Sequence, residues 1–141
     1  MITIPPSNSE SIYSILVNRG YNFWTGVPCS HIKRFLETLE AENEFEDNHV
    51  KPANEAQAVG VAFGAWLAGL KPVVYMQECG LPYALNPLAT LVIPAKCDDM
   101  MLVITRRYSP YQHELLAKAA EGMLQSIGWN MNNVIWVEEH A

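Results

Sequence analysis

The sequence predicts an α/β protein, a doubly wound parallel sheet built as a single domain over residues 1–141. Two observations carry this. Short runs such as "PVVYMQ" and "MMLVIT" are apolar throughout rather than alternating, as strands covered on both faces must be. Between such runs lie segments whose apolar residues recur at helical spacing, and an alternation of the two implies right-handed crossovers over both faces of a parallel sheet.

The elements follow in order. Ser7 and Glu10 have the spacing of a capping box, and Ile12, Ile15 and Leu16 then repeat as one helical face until Gly20. "YNFWTGV" reads as a buried strand that runs into the turn Gly26-Val27-Pro28. Ser30 is placed to cap a second helix with Ile32, Phe35, Leu36 and Leu39 on its buried side, and the acidic run "ETLEAENEFEDN" ends that helix and leads into a solvated loop. "HVKPA" reads as the second strand. Asn54 is an N-cap for a third helix whose stripe is Ala58, Val59, Ala62, Phe63, Trp66 and Leu67. "PVVYMQ" is the third strand, a short helix covers Tyr83 to Leu91, and "MMLVIT" is the fourth strand. The last helix repeats Leu115, Leu116, Ala119, Ala120, Met123, Leu124 and Ile127 and stops at Gly128, after which "NVIWVE" closes as a fifth strand.

Composition narrows the function classes. Of the 141 residues 50% are hydrophobic and 17% charged, with a net charge of -6, so there is no basic footprint for nucleic acid or for an anionic membrane. Small molecules and proteins are the expected partners. Cys29, Cys79 and Cys97 match neither a redox pair nor a zinc pattern, and read as reduced thiols of a cytoplasmic protein. No targeting segment or membrane span is expected from the N-terminus "MITIPPSNSE" or from the interrupted apolar run before Lys71-Pro72.

Ligands of such sheets bind beyond the carboxyl ends of the strands. That edge collects Gly26 to Ser30, Asn54 and Glu55, Gln77 to Gly80, and Thr105 to Tyr108. It carries no Gly-rich phosphate loop, no GxSxG elbow and no His or Asp cluster at metal-ligand spacing, so no metal ligand is assigned to the chain. Glu55 stands out as the one charge before Lys71 in a long apolar stretch. By spacing alone it is a first-turn carboxylate that complements the helix macrodipole.

Four stretches add a resemblance. "FWTGVPCSHIKRF", "ANEAQAVGVAFGAWLAGLKPVVYMQ", "GLPYALNPLATL" and "YQHELLAKAAEGMLQSIGW" resemble the pyrimidine-binding domain of thiamine diphosphate decarboxylases, in particular phosphonopyruvate and sulfopyruvate decarboxylases. The resemblance runs from about Tyr21 to Trp129. It implies that Glu55 hydrogen-bonds N1′ of the cofactor's aminopyrimidine and so helps take the proton from the thiazolium C2, with Pro28, Gln77 and Gly80 also at the cofactor. It implies an acid or base role for His113, which follows Gln112 as in the phosphonopyruvate enzymes, and substrate contacts for Cys29, Arg106 and Arg107.

The same family holds the diphosphate and Mg2+ through a Gly-Asp-Gly element that this sequence lacks. The resemblance therefore implies an alpha subunit whose site is completed by a diphosphate-binding beta subunit, as a heterotetramer. The expected reaction is 3-phosphonopyruvate to phosphonoacetaldehyde and CO2, with sulfopyruvate as the alternative substrate; a non-catalytic scaffold or regulatory subunit is the alternative of another class. Two departures bear on these. Relatives read Met-Gln-Asn-Ser-Gly where this chain has Met76-Gln77-Glu78-Cys79-Gly80, and their longer arginine loop is here the short "TRRYSPYQH".

Overall fold

A computed structural model describes residues 1–43 and 47–139. Their six strands are β1 (Ile2–Ile4), β2 (Phe23–Gly26), β3 (His49–Val50), β4 (Pro72–Gln77), β5 (Met101–Thr105) and β6 (Val134–Val137). They form one sheet in the order β1-β6-β5-β4-β2-β3, and every pairing is parallel. The helices are α1 (Ser11–Asn18), α2 (Lys33–Glu42), α3 (Glu55–Leu67), α4 (Leu81–Pro87) and α5 (Tyr111–Ser126).

Alternate strand residues feed two cores, one on each face. Val73, Tyr75, Met101, Val103, Ile135 and Val137 pack against Ile12 and Leu16 of α1 and Phe35 and Leu39 of α2. Their neighbours Val74, Met76, Leu102, Ile104, Val134 and Trp136 pack under α3, α4 and α5. A period of two in continuously apolar strands is what a sheet buried on both sides produces. The doubly wound parallel sheet expected from sequence is thus the observed fold.

Several local expectations are corrected. "ITI" near the N-terminus forms an additional edge strand, β1, paired with β6. Ser7 and Glu10 do not make a capping box: Pro6–Asn8 is a 3-10 turn, and no side chain caps α1. Arg34 instead reaches both, its guanidinium donating to the Ser7 carbonyl and lying 3.7 Å from the Glu10 carboxylate. Nor does Ser30 cap α2, because a 3-10 turn at Ser30–Ile32 precedes that helix and its N-cap is Ile32. Part of the acidic stretch, at 44–46, lies outside the described residues.

The helical stripes are also shifted at their edges. Leu67 and Leu115 are 67% and 79% exposed, while Ala65 and Ala117 are buried. In each case the packed face takes an alanine two positions away from the exposed leucine. The helix expected over Tyr83–Leu91 begins earlier, at Leu81, and passes into a π-turn over Leu88–Val92.

One glycine sets how closely β2 and β4 approach at their carboxyl ends. A Cβ on Gly26 would stand 2.1 Å from the Tyr75 carbonyl oxygen. Because that neighbour is backbone it cannot rotate away, so Gly26→Ala is expected to destabilise the fold by about 1–3 kcal/mol, read as a lowered urea midpoint.

Candidate functional site at the sheet switch point

From β2 the chain turns through α2 towards the β3 edge, and from β4 it turns through α4 towards β5, on the opposite face. The two loops diverge, and the crevice between them is where doubly wound sheets take their ligands. One wall is Gly26-Val27-Pro28, tied down by the Val27 N–H donating to the Tyr75 carbonyl at 3.1 Å. The other wall is the 3-10 turn Glu78–Gly80 that follows Gln77. Pro28 borders a cavity of about 210 Å³ with Gly26, Leu36, Pro52 and Tyr75.

Glu55 enters this crevice from α3. Asn54 caps the helix as expected, its Oδ1 accepting from the Gln57 N–H at 2.9 Å. Capping fixes Glu55 as the first helical residue, half-buried, with its side chain directed back over the neighbouring turn. Its carboxyl group lies on the Cα of Gly80, where a Cβ would stand 2.2 Å from Oε2. Among the described residues it takes no hydrogen bond and no ion pair.

Beside it is an arrangement that the sequence reading did not assemble. Glu78 is fully buried, and its Oε1 meets Nδ1 of His113 at 2.8 Å, while Oε2 has no partner. Cys79 donates to the Gln77 side-chain oxygen at 3.2 Å. Burial, reinforced by the negative charges of Glu78 and Glu55, pushes the Cys79 thiol up, so it stays protonated at neutral pH. Glu78 and His113 are 35 residues apart, and only the shared carboxyl edge brings them together. The signal available in sequence was the edge itself, which already grouped Gln77–Gly80 with the segment after β5.

The two arginines expected at the substrate take different places. Arg106 is 8% exposed, with Nη1 2.8 Å from Glu121, Nη2 3.0 Å from Glu138, and its guanidinium 4.0 Å from the centre of the Trp136 ring. Those contacts occupy both of its terminal nitrogens. Arg107 turns the other way: Nη2 donates to Ser30 Oγ and lies 3.9 Å from Cys29 Sγ, and its Nε, like that of Arg106, is buried without a partner.

Cys29 in turn accepts from Thr105 Oγ1 at 3.5 Å. His31, Arg106, Arg107, Tyr108, Ser109 and Glu139 line a cavity of about 80 Å³. Burial, and next the Arg107 charge, hold His31 below its ordinary value, so it is neutral near pH 7. The structure thus gathers Glu55, Gly80, Gln77, His113, Cys29 and Arg107 along the carboxyl edge and sets Arg106 into the packing beneath it.

No protein-family model matches the chain. The sulfopyruvate decarboxylase alpha subunit of Methanococcus maripaludis is 31% identical over 98 residues, 70% of this chain and 58% of that protein. The corresponding subunit of Methanothermobacter thermautotrophicus is 34% identical over 84 residues, 60% of this chain and 50% of its own length. A phosphonopyruvate decarboxylase of Streptomyces viridochromogenes is 26% identical over 113 residues, 77% of this chain and 28% of that protein. The chain therefore spans a little over half the length of the alpha subunits it matches.

Among solved structures, 2-oxoglutarate:ferredoxin oxidoreductase from Magnetococcus marinus superposes on 96% of this chain and 28% of its own, with a TM-score of 0.58 at 12% identity. That likeness is one of fold. No described helix is long and apolar enough to cross a membrane. On its sequence similarity, its parallel sheet and its crevice, the chain is a homologue of the sulfopyruvate decarboxylase alpha subunits and of the phosphonopyruvate decarboxylases.

Proposed function

We propose that this chain is the pyrimidine-side subunit of a thiamine diphosphate-dependent 2-oxoacid decarboxylase that acts on sulfopyruvate, with a separate partner subunit holding the diphosphate and Mg2+. The observation that carries the reading is the unpaired Glu55 carboxyl lying against bare Gly80 in the switch-point crevice. Those residues fit the cofactor's pyrimidine edge. Glu55 offers a carboxyl oxygen for a ring nitrogen, and bare Gly80 makes the room in which that carboxyl lies. Thiamine diphosphate would supply the electron sink for loss of CO2.

The remaining steps belong to this chain's own side chains. Glu55 holds and returns a proton at the crevice wall. Glu78 grips Nδ1 of His113, which orients the imidazole and leaves Nε2 as the proton-carrying atom. Arg107 would take the acidic tail of the substrate in the small cavity it lines with His31, Arg106 and Glu139.

That geometry bears on which tail it takes. A sulfonate carries one charge, whereas a phosphonate carries close to two near neutrality, as phosphates do. Both arginines line that cavity beside Glu139, but the terminal nitrogens of Arg106 are held by Glu121 and Glu138, so Arg107 is the one freer to face the anion, and His31 beside it is neutral. One guanidinium suits the monoanion. Sulfopyruvate is also the substrate named for the relatives from Methanococcus and Methanothermobacter, so this reading replaces phosphonopyruvate as the leading one. Phosphonopyruvate remains the second reading, supported by the Streptomyces relative.

A partner surface lies at the same edge. Tyr111 and Leu115, in the first turns of α5, are 83% and 79% exposed, and Tyr83 on α4 is 67% exposed. Large apolar side chains beside a ligand crevice are what a second subunit closing over it would cover.

The test is CO2 release from each acid by the chain assembled with its partner subunit, thiamine diphosphate and Mg2+. Sulfopyruvate is expected to turn over with the higher kcat/KM; preference for phosphonopyruvate would transfer the assignment to the second reading, and turnover of neither would refute the decarboxylase. Arg107→Ala is expected to raise KM for the preferred acid about 10–100-fold with a smaller change in kcat, the loss of one charge-assisted contact.

A further inference from the structure

Glu78, Cys79 and His113 do more than hold one another. The Glu78 carboxylate, the Cys79 sulfur and a His113 ring nitrogen each place one ligand atom within 4.8 Å of the other two. A fully buried carboxylate costs several kcal/mol unless a cation or several donors compensate it. Here the compensation is partial: Oε1 has His113, Oε2 has nothing, and neither Arg106 nor Arg107 reaches it.

We propose that Glu78, Cys79 and His113 form a binding site for a soft or borderline divalent cation, Zn2+ in particular, distinct from the Mg2+ that thiamine diphosphate would bring on a partner subunit. The donor set is one thiolate, one imidazole and one carboxylate. That combination of soft and borderline ligands selects zinc over the oxygen-seeking Mg2+ or Ca2+. Three protein ligands leave a fourth position open, as in zinc sites that bind water or a substrate. The Gln77 side-chain oxygen lies beside the cluster, 3.2 Å from Cys79 Sγ.

The supports are short and well anchored. Glu78 and Cys79 occupy one 3-10 turn at the end of β4, and His113 is in the first turn of α5. With no cation, Cys79 is a thiol and Glu78 has only His113. On binding, the thiol proton leaves to solvent, the thiolate sulfur, imidazole nitrogen and carboxylate oxygen each donate a pair to the metal, and no oxidant or reductant is needed. The inference does not depend on the decarboxylase reading, because its readout is metal binding.

The experiment is titration of the full chain, reduced and stripped of metal by EDTA, with Co2+ and then Zn2+. One Co2+ per chain is expected, with an intense thiolate-to-cobalt charge-transfer absorption that Zn2+ abolishes by displacement. Cys79→Ser should lose that absorption while keeping the wild-type circular dichroism, and Cys29→Ser and Cys97→Ser should retain it. Glu78→Gln and His113→Ala should each weaken Zn2+ at least tenfold. In wild-type protein, Zn2+ should also protect Cys79 from alkylation, scored by peptide mass spectrometry, which keeps the test independent of how any variant folds. Absence of stoichiometric binding, a charge-transfer absorption that survives in Cys79→Ser, or alkylation of Cys79 unchanged by Zn2+ would overturn the site.

Discussion

Replacing Glu55 by Gln is expected to lower kcat of the assembled enzyme at least about 100-fold, the scale of a lost proton-transfer group, while thiamine diphosphate still binds and the two subunits still associate. The substitution keeps the shape and removes only the ability to hold and release a proton. Because the Glu55 carboxyl is paired with nothing among the described residues, its loss breaks no ion pair and strands no buried partner there. Stability should therefore change by less than about 0.5 kcal/mol, the range of substitutions that disturb no buried network.

Gly80→Ala gives an independent reading of the same geometry. Its Cβ would sit 2.2 Å from Glu55 Oε2, and since that oxygen ends a flexible side chain it would swing aside. A protein that melts normally but loses turnover is the expected phenotype. If both variants kept wild-type activity, Glu55 would be a helix-dipole carboxylate after all and a non-catalytic scaffold would be the better description of the chain.

Much of this was legible in the sequence because the strands are apolar on both faces and leave few alternatives. The continuous runs in β4 and β5 fix a parallel sheet, and a parallel sheet fixes the edge on which loops can gather ligands. Asn54 and Glu55 were readable for a local reason, since the cap, the first turn and the small-residue stripe are contiguous. What was not readable depended on registers between distant segments. β1 has only three residues, and its partner β6 is more than 130 positions away, as the pairing of Ile2 with Ile135 shows.

The Glu78–His113 contact joins two loops whose approach depends on how α5 seats against the turn after β4. Leu67 and Leu115 were misplaced because a hydrophobic residue at helical spacing gives the face only to within two positions, and close helix packing then selects alanine. Adjacent arginines pose the same difficulty in its sharpest form. Spacing cannot say which of Arg106 and Arg107 points into the packing and which into the crevice.

That distinction yields the second large prediction. Arg106→Ala is expected to destabilise the protein by about 3–5 kcal/mol, the cost of removing one partner from a buried ion pair. The guanidinium is the common contact of Glu121 and Glu138, and Glu138 is 16% exposed and also accepts from the Tyr108 hydroxyl at 3.2 Å. Without it the structure keeps two carboxylates beside each other and an empty space over the Trp136 ring, where the cation now lies 4.0 Å from the centroid. At this chain length such a loss corresponds to a fall in Tm of roughly 10 °C or more.

Arg106→Lys should recover little of it, because an ammonium cannot fork to two carboxylates while stacking flat on an indole. The neighbouring Arg107→Ala should do the reverse, raising KM with a near-normal Tm. Calorimetry and steady-state kinetics on the two alanine variants would thus separate a structural arginine from a substrate-binding one. A normal melt for Arg106→Ala with a raised KM would instead mean that Arg106 leaves its carboxylates for the substrate, and that the single-cation argument for a sulfonate fails.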